Sequence, residues 1–379
     1  MKVLVTSDLH LSTRIWTNRN ITQDSYYAWS QIVESAIAQD VSAVILAGDL
    51  LDKQTNTSEP VNELAKGLRL LVKHGIEIYF NQGQHEMQKY PWVQAVCPEA
   101  VHLHDRSVDI GGLVFTGSDY RNTESFQEFL ASEHVLNADV LVCHQVWQEF
   151  MGGVAATQGS FRDIPMNIQL LITGDYHRSI SRNDKGLDVL SPGSTALRAV
   201  DEPEDKSFFI LEIQGERCTP EVCALRTRRK LLLDARPHRR PADILRDLHR
   251  WLSAAEAYAE DLPEELKMPI VRATVEGGDE ARHALLQKEV EGRAHLTFKL
   301  TKPDVPYLDD EDSDDSSEME IRSGEQVTLS SGLSTYVSPQ EAPEVFNLSQ
   351  MFISGNDPQA ILFDWVQNNT GDNDANNEG

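Results

Sequence analysis

Carboxylate and imidazole side chains recur in the first half of this chain at the ends of short apolar runs. The first pair, Asp8 and His10, closes the run 3–11, VLVTSDLHL. Two such groups, two residues apart at a strand end, can reach one cation from the same side. Asp49 follows in AGDLLD (47–52), which also holds Asp52. Gln84 and His85 lie in NQGQHE (81–86), His144 in CHQ (143–145), and Asp175 and His177 in GDYH (174–177). Hard oxygen ligands mixed with imidazoles suit Mn²⁺, Fe²⁺ or Zn²⁺. Two such cations, bridged by a carboxylate and about 3.5–4 Å apart, lower the pKa of water and stabilise both oxygens of a phosphoryl displacement. That chemistry needs no protein nucleophile. The chain has neither a G-x-S-x-G nor a G-x-x-x-x-G-K-[ST] stretch.

These groups need a scaffold that ends several strands in one place. Open α/β sheets do this at the carboxyl ends of their strands. Apolar runs at 3–6, 42–46, 76–80, 140–143 and 170–173 read as buried strands, each ending in candidate ligands. Shorter strands are expected at 101–103, 108–110, 113–116 and 187–190, and one more at 207–213. Helical spacing of apolar residues marks 24–39, 59–73 and 123–132. Gly48, Gly83 and Gly174 each precede a candidate ligand and permit a sharp turn there. His102 and His104 have no partner motif and are expected as strand or surface residues, and His74, beside Gly75, as a helix C-terminal residue.

The 379 residues suit two domains and a tail. No apolar run approaches the ~18 residues needed to span a bilayer. The N-terminus lacks signal-peptide architecture, and the four cysteines form no C-x-x-C pair. Reduced thiols and a cytoplasmic location are therefore expected, with no membrane partner. The net charge of −26 argues against coating nucleic acid by bulk electrostatics. Within that acidity, 226–240 concentrates Arg226, Arg228, Arg229, Lys230, Arg236, Arg239 and Arg240 against one Asp. Such a run can contact DNA phosphates, or form a solvated face or internal ion pairs. It opens a segment, 226–301, that reads as a small α+β domain with helices at 242–257 and 280–289 and strands at 270–275 and 295–300. Residues 302–342 are acid- and serine-rich and read as a disordered linker. Apolar residues at helical spacing return in 343–368, fit either to bind a partner or to fold back on the core, and 369–379 reads as a disordered tail.

The ordered set DLH, GDLLD, GQHE, CHQ and GDYH resembles the calcineurin-like metallophosphoesterases, whose pattern is D-x-H, G-D-x-x-D, G-N-H-[DE], H and G-H-x-H. The resemblance covers about 1–215. SPGSTALRA (191–199), followed by KSFFILEI, is similar to the SbcD-type nuclease subunits of that superfamily, which occur in bacteria, archaea, eukaryotes and many phages and serve DNA repair and recombination. The resemblance implies an α/β fold, a metallophosphoesterase-type β-sandwich flanked by helices, with a capping domain that helps bind DNA. It implies that Asp8, His10 and His177 hold one metal, that Asp49 bridges, and that Gln84, His144 and Asp175 hold the second. Mn²⁺ is then the expected ion, with Mg²⁺ an option. His85 would contact the phosphate and protonate the leaving oxygen, and Asp52 would orient His85. The implied partners are DNA, a coiled-coil ATPase of SbcC type and a second copy of the chain. Two residues depart from the pattern: Gln84 stands where the family has Asn, and Asp175 where it has His. Both fall on the second metal, and more oxygen there favours a harder ion. The reading is a DNA exonuclease and endonuclease subunit. The alternatives are a phosphomonoesterase or cyclic-nucleotide phosphodiesterase of the same superfamily, and a scaffold with a weakened site.

Overall fold

Strands that are apolar on both faces need cover on both sides. Two sheets and their flanking helices supply it here. The computed structural model describes residues 1–12, 23–151, 157–199 and 201–301. The chain divides into two units, Met1–Val305 and Pro306–Gly379. The expected linker 302–342, helical segment 343–368 and tail 369–379 lie outside the described residues. In chain order the strands are β1 (Lys2–Thr6), β2 (Ala43–Ala47), β3 (Glu77–Asn81), β4 (Val101–His102), β5 (Arg106–Ile110), β6 (Leu113–Ser118), β7 (Val140–His144) and β8 (Leu170–Gly174). They continue with β9 (Ile180–Asp184), β10 (Leu187–Ser191), β11 (Ser207–Gln214), β12 (Arg217–Ala224), β13 (Lys230–Asp234), β14 (Ile270–Glu276) and β15 (His295–Thr301).

One sheet runs β12-β11-β1-β2-β3-β4 and the other β5-β6-β7-β8-β10-β9. The ligand-bearing strands are parallel neighbours: β1, β2 and β3 in the first sheet, β7 and β8 in the second. Their carboxyl ends therefore leave each sheet along one edge. The sheets share a core in which Val3, Val5, Ala43 and Ile45 meet Phe115, Val140, Val142 and Ile172, all buried. Burying each such Val, Ile or Phe side chain contributes about 1.5–3 kcal/mol, which is why these strands show little polar alternation.

Helices Gln23–Ala38 and Ser58–Lys73 cover the outer face of the first sheet. Trp29, Ile32, Leu64, Leu68 and Leu71 pack there with Leu4, Val44 and Leu46. Gly67, mid-helix, costs about 1 kcal/mol of helix propensity. A Cβ there would lie 2.3 Å from the Trp29 indole, so the ring's packing requires it. Helix Thr123–Leu130 covers the second sheet through Phe126, Phe129 and Leu130. A third, wholly parallel sheet, β13-β14-β15, has its own core with helices Pro241–Tyr258 and Glu280–Val290.

Most expected elements lie within one or two residues of the observed ones. Strands β9, β12 and β13 were not expected. The first two are polar edge strands paired antiparallel to a neighbour, with mostly exposed side chains. The third lies inside the basic run 226–240. Among the described residues no helix is long and apolar enough to cross a membrane.

Candidate metal centre

The carboxyl ends of β1, β2, β3, β7 and β8 meet in the loops between the two sheets. Backbone hydrogen bonds lock the first two loops together: Asp8 N donates to Gly48 O and His10 N to Asp49 O, both at 2.9 Å. Asp8, His10, Asp49 and Asp175 all adopt the left-handed region, with φ of 51°, 45°, 52° and 73°. That conformation costs an ordinary residue of order 1–3 kcal/mol and persists only where surrounding contacts impose it. Asp tolerates it better than most residues.

The three glycines before the ligands are required by close approach more than by turning. A Cβ on Gly83 would lie 2.0 Å from Asp49 Oδ1, and on Gly174 2.4 Å from both Ala47 O and His144 Nδ1. Only Gly48 combines a positive φ, 87°, with such crowding, its Cβ lying 2.3 Å from His144 Nδ1. The expectation that all three permit turns is corrected to that extent.

Of three sets of ligand atoms close enough to share an ion, two consist of expected ligands, Asp8, His10 and His177, and Asp8, Asp49 and His144; the third is His10, Asp52 and His85. His144 Nδ1 donates to Ala47 O at 2.7 Å. Its Nε2 then faces Asp49 Oδ2 at 3.3 Å with no hydrogen bond to it. In the neutral ring this sets a lone pair against a carboxylate oxygen, an arrangement that only a proton or a cation between them relieves. Burial lowers the His144 pKa, yet Asp49 and Asp8 outweigh it and raise the pKa well above the ordinary value. Burial likewise pushes Asp49 up, but the imidazoles of His144, His10 and His85 hold its carboxyl far below the usual range. In the other set His177 Nε2 faces His10 Nε2 at 3.3 Å, with Asp8 Oδ1 3.7 Å away. Both sets thus aim unshared electron pairs at a common point, which is what a divalent cation needs.

Gln84 and Asp175, the two departures, are bonded to each other. Gln84 Nε2 donates to Asp175 Oδ1 at 2.6 Å. With its amide nitrogen so occupied, the buried Gln84 Oε1 is left without a hydrogen-bond partner. Burial raises the Asp175 pKa against the pull of His144 and Gln84. The residues therefore fit a second ion with an oxygen-rich set.

His85, 41% exposed, lies at the mouth of this cluster, its ring 5.0 Å from that of His10. The expected carboxylate support from Asp52 is corrected. His85 Nδ1 bonds the backbone oxygen of Asp52 at 3.1 Å. The Asp52 carboxylate instead binds the Arg198 guanidinium and lies 3.6 Å from His10 Nδ1. Arg198 draws it because a half-buried carboxylate gains most from a charged donor.

The seven basic residues are not brought to the centre, and each has a partner. Arg228 was expected to meet DNA, but it is wholly buried. Its guanidinium chelates Asp24, with Nη2 2.8 Å from Oδ1, and caps the carbonyls of Met268 and Glu265. It is a structural ion pair and leaves the DNA-contacting set. Arg226 pairs with Asp261, Arg229 with Glu204, Arg236 with Asp234, Arg239 with Asp247 and Arg240 with Asp243. Lys230 Nζ donates to the Glu202 carbonyl.

His102, a strand residue as expected, and His104 both reach Asp119. His102 Nε2 lies 2.8 Å from its carboxylate, and Asp119 N donates to His104 Nδ1 at 3.0 Å. Asp119 in turn accepts from Gln82 N at 2.7 Å, two residues before Gln84. Sequence reasoning also missed Glu86, Arg198 and Glu202. Glu86 is buried under Asp49, accepts from Leu51 N at 2.8 Å, and is pushed up to about 8 by burial and the Asp49 charge. Its signal was its place in GQHE, as Arg198's was in SPGSTALRA. Glu202 had no local signal.

Residues 1–185 match the calcineurin-like phosphoesterase family. The DNA double-strand break repair protein Mre11 of Methanosarcina acetivorans is 24% identical over 282 residues, 70% of this chain and 45% of its own length. Mre11 of Haloferax volcanii is 26% identical over 242 residues, 62% of this chain and 53% of its own. Mre11 of Sulfolobus acidocaldarius is 24% identical over 254 residues, 62% of this chain and 66% of its own. This chain therefore spans about half to two-thirds of the length of these relatives.

Proposed function

Since residues 1–185 form a calcineurin-like phosphoesterase domain, we propose that the chain is a metal-dependent DNA phosphodiesterase of the SbcD and Mre11 kind. One observation carries the reading. Asp49 Oδ2, His144 Nε2 and Gln84 Oε1 are buried and lack hydrogen-bond partners in a single cluster. Left as orphaned acceptors they would cost about 1–3 kcal/mol each, a cost that a cation relieves at all three and a proton only between His144 and Asp49. Asp8, His10 and His177 would hold one ion, Gln84, His144 and Asp175 the other, with Asp49 between them. Two divalent cations, Mn²⁺ first and Mg²⁺ second, would supply charge to the phosphoryl oxygens and lower the pKa of attacking water.

The chain's own residues do the rest. His85 keeps its Nδ1 proton on Asp52 O and, as an imidazolium, gives the Nε2 proton to the leaving oxygen. That Nε2 lies 3.9 Å from Asp49 Oδ2. Arg226, Arg236 and Arg240, the more exposed members of the basic run, supply phosphate contacts beyond the scissile bond. A coiled-coil ATPase of SbcC type and a second copy of the chain complete the assembly.

The test is strand cleavage by the full chain on blunt-ended and hairpin DNA with Mn²⁺, with and without the ATPase. Cleavage that disappears in Asp49→Asn is expected. Hydrolysis of a small phosphomonoester or cyclic nucleotide with DNA left intact would move the chain to another branch of the superfamily.

A further inference from the structure

His177 leaves one nitrogen for the centre, and something must hold the other. Its Nδ1 donates to Glu202 Oε1 at 2.7 Å. The second oxygen, Oε2, accepts from Lys206 Nζ at 2.7 Å, Ser194 Oγ at 3.1 Å and Arg198 N at 3.0 Å. Lys206 is almost fully buried, and its ammonium also donates to Ser194 Oγ at 2.6 Å. Glu202 is thus held by a buried cation, a hydroxyl and a backbone amide, and it spends its remaining oxygen on His177. Ser194 and Arg198 belong to the SPGSTALRA stretch, for which the metal cluster alone gives no reason.

We propose that Glu202 is a positioning residue of the metal centre: it fixes His177 with Nε2 toward Asp8 and His10 and so sets the affinity of the first cation. The proposal rests on the metal-dependent reading above. The physics is that of a carboxylate behind a ligating imidazole. It fixes the tautomer, stops the ring rotating and makes the free nitrogen a better donor. His144 has only a backbone carbonyl in the same place, Ala47 O, and His10 faces Asp52 at 3.6 Å. His177 alone has a strong, short carboxylate contact, and at 30% side-chain exposure it is the ligand ring most in need of one.

A purely structural role is the competing account, because Glu202 also ties down the segment before β11. Glu204, two residues on, ties the same segment through Arg229 and Lys230 N at 2.8 Å each, and none of its bonds reaches a candidate ligand. Glu204→Ala therefore removes an anchor of that segment without touching His177.

The experiment is calorimetric titration of Mn²⁺ into the metal-free full chain, alongside thermal melting without metal. Wild type should bind two ions, and His177→Ala should identify which binding step belongs to the first. Glu202→Ala should weaken that same step 10- to 100-fold and leave the other within about twofold. DNA cleavage should then need correspondingly more Mn²⁺ yet recover its maximal rate. Glu202→Gln, nearly isosteric, covers the case in which the alanine variant fails to fold, and should weaken the same step at least threefold. Glu204→Ala should bind both ions as wild type does. Wild-type affinity in Glu202→Ala or in Glu202→Gln, equal weakening of both steps, or the same loss in Glu204→Ala would each overturn the proposal. A wild-type chain that binds no Mn²⁺ would sink the metal-dependent reading itself, which is a different result.

Discussion

The pair Gln84 and Asp175 offers the sharpest test of the centre, because both depart from the family pattern and bond to each other. Gln84→Asn retracts the amide by about 1.5 Å, one C–C bond. The 2.6 Å contact to Asp175 then opens past hydrogen-bonding range, and the carbonyl withdraws from the centre. Asp175→His instead puts a neutral ring where the amide has a carboxylate acceptor. A hydrogen bond to a charged group is worth about 1.5–3 kcal/mol. Each single substitution should therefore weaken the second Mn²⁺ by roughly 10- to 150-fold. The combined Gln84→Asn/Asp175→His restores the pattern G-N-H and G-H-x-H and should bind no more weakly than the worse single. The coupling energy from a double-mutant cycle should then be about 1.5–3 kcal/mol. The assay is Mn²⁺ titration of all four proteins. Additivity within about 0.5 kcal/mol would mean that the two residues do not act as a unit and would refute the reasoning.

Four further outcomes follow from the same geometry. His85→Ala should abolish cleavage while both Mn²⁺ ions still bind, since the ring is at the mouth of the site; loss of either ion, read by titration, would contradict the role given to it. Arg228→Ala should lower unfolding free energy by about 3–5 kcal/mol in urea, because it strands the buried Asp24. Arg240→Ala, 82% exposed, should leave stability unchanged and reduce the salt slope of DNA binding by about one. Glu86 has its folded pKa raised from 4.5 to about 8, so it binds a proton in the native state that the unfolded chain has released. Its contribution to stability is present below about 4.5 and is lost as pH rises to about 8, at most about 1.4 kcal/mol per unit. In metal-free protein, Glu86→Gln should remove that fall, and parallel pH profiles for wild type and variant would count against it.

The strand-end ligands were legible because each follows directly on a buried apolar run, so the side chain's place along the sheet edge is set locally. Parallel neighbours then align the ends without further information. Asp8, Asp49, His144 and His177 are brought together this way although 169 positions separate the first from the last. What supports them was less legible. Asp52 sits where a family reading puts a partner for His85, yet its carboxylate turns to Arg198, 146 positions away. Glu202 stands in an irregular stretch with no periodicity to betray which way it points. Strands β9 and β12 were missed for a related reason: an edge strand with water on one side has no apolar run to announce it.

The basic run 226–240 shows where charge counting fails. Seven cations against one acid suggest a surface aimed at phosphate, but the count ignores what lies far off in sequence. Asp24, 204 positions earlier, claims Arg228 in the interior. Glu204 claims Arg229, and the Glu202 carbonyl claims Lys230. The leucines between the cations make β13, whose neighbour β14 is the middle strand of the third sheet. In a chain of net charge −26 a cation meets a carboxylate more readily than in a neutral one. A basic cluster there is as apt to be the positive half of internal ion pairs as a site for DNA. The partners of Arg229 and Lys230 flank the segment that presents Glu202 to His177. The run read as a DNA surface thus anchors that segment, and a charge change at Arg229, like Glu204→Ala, should leave both metal affinities as in wild type.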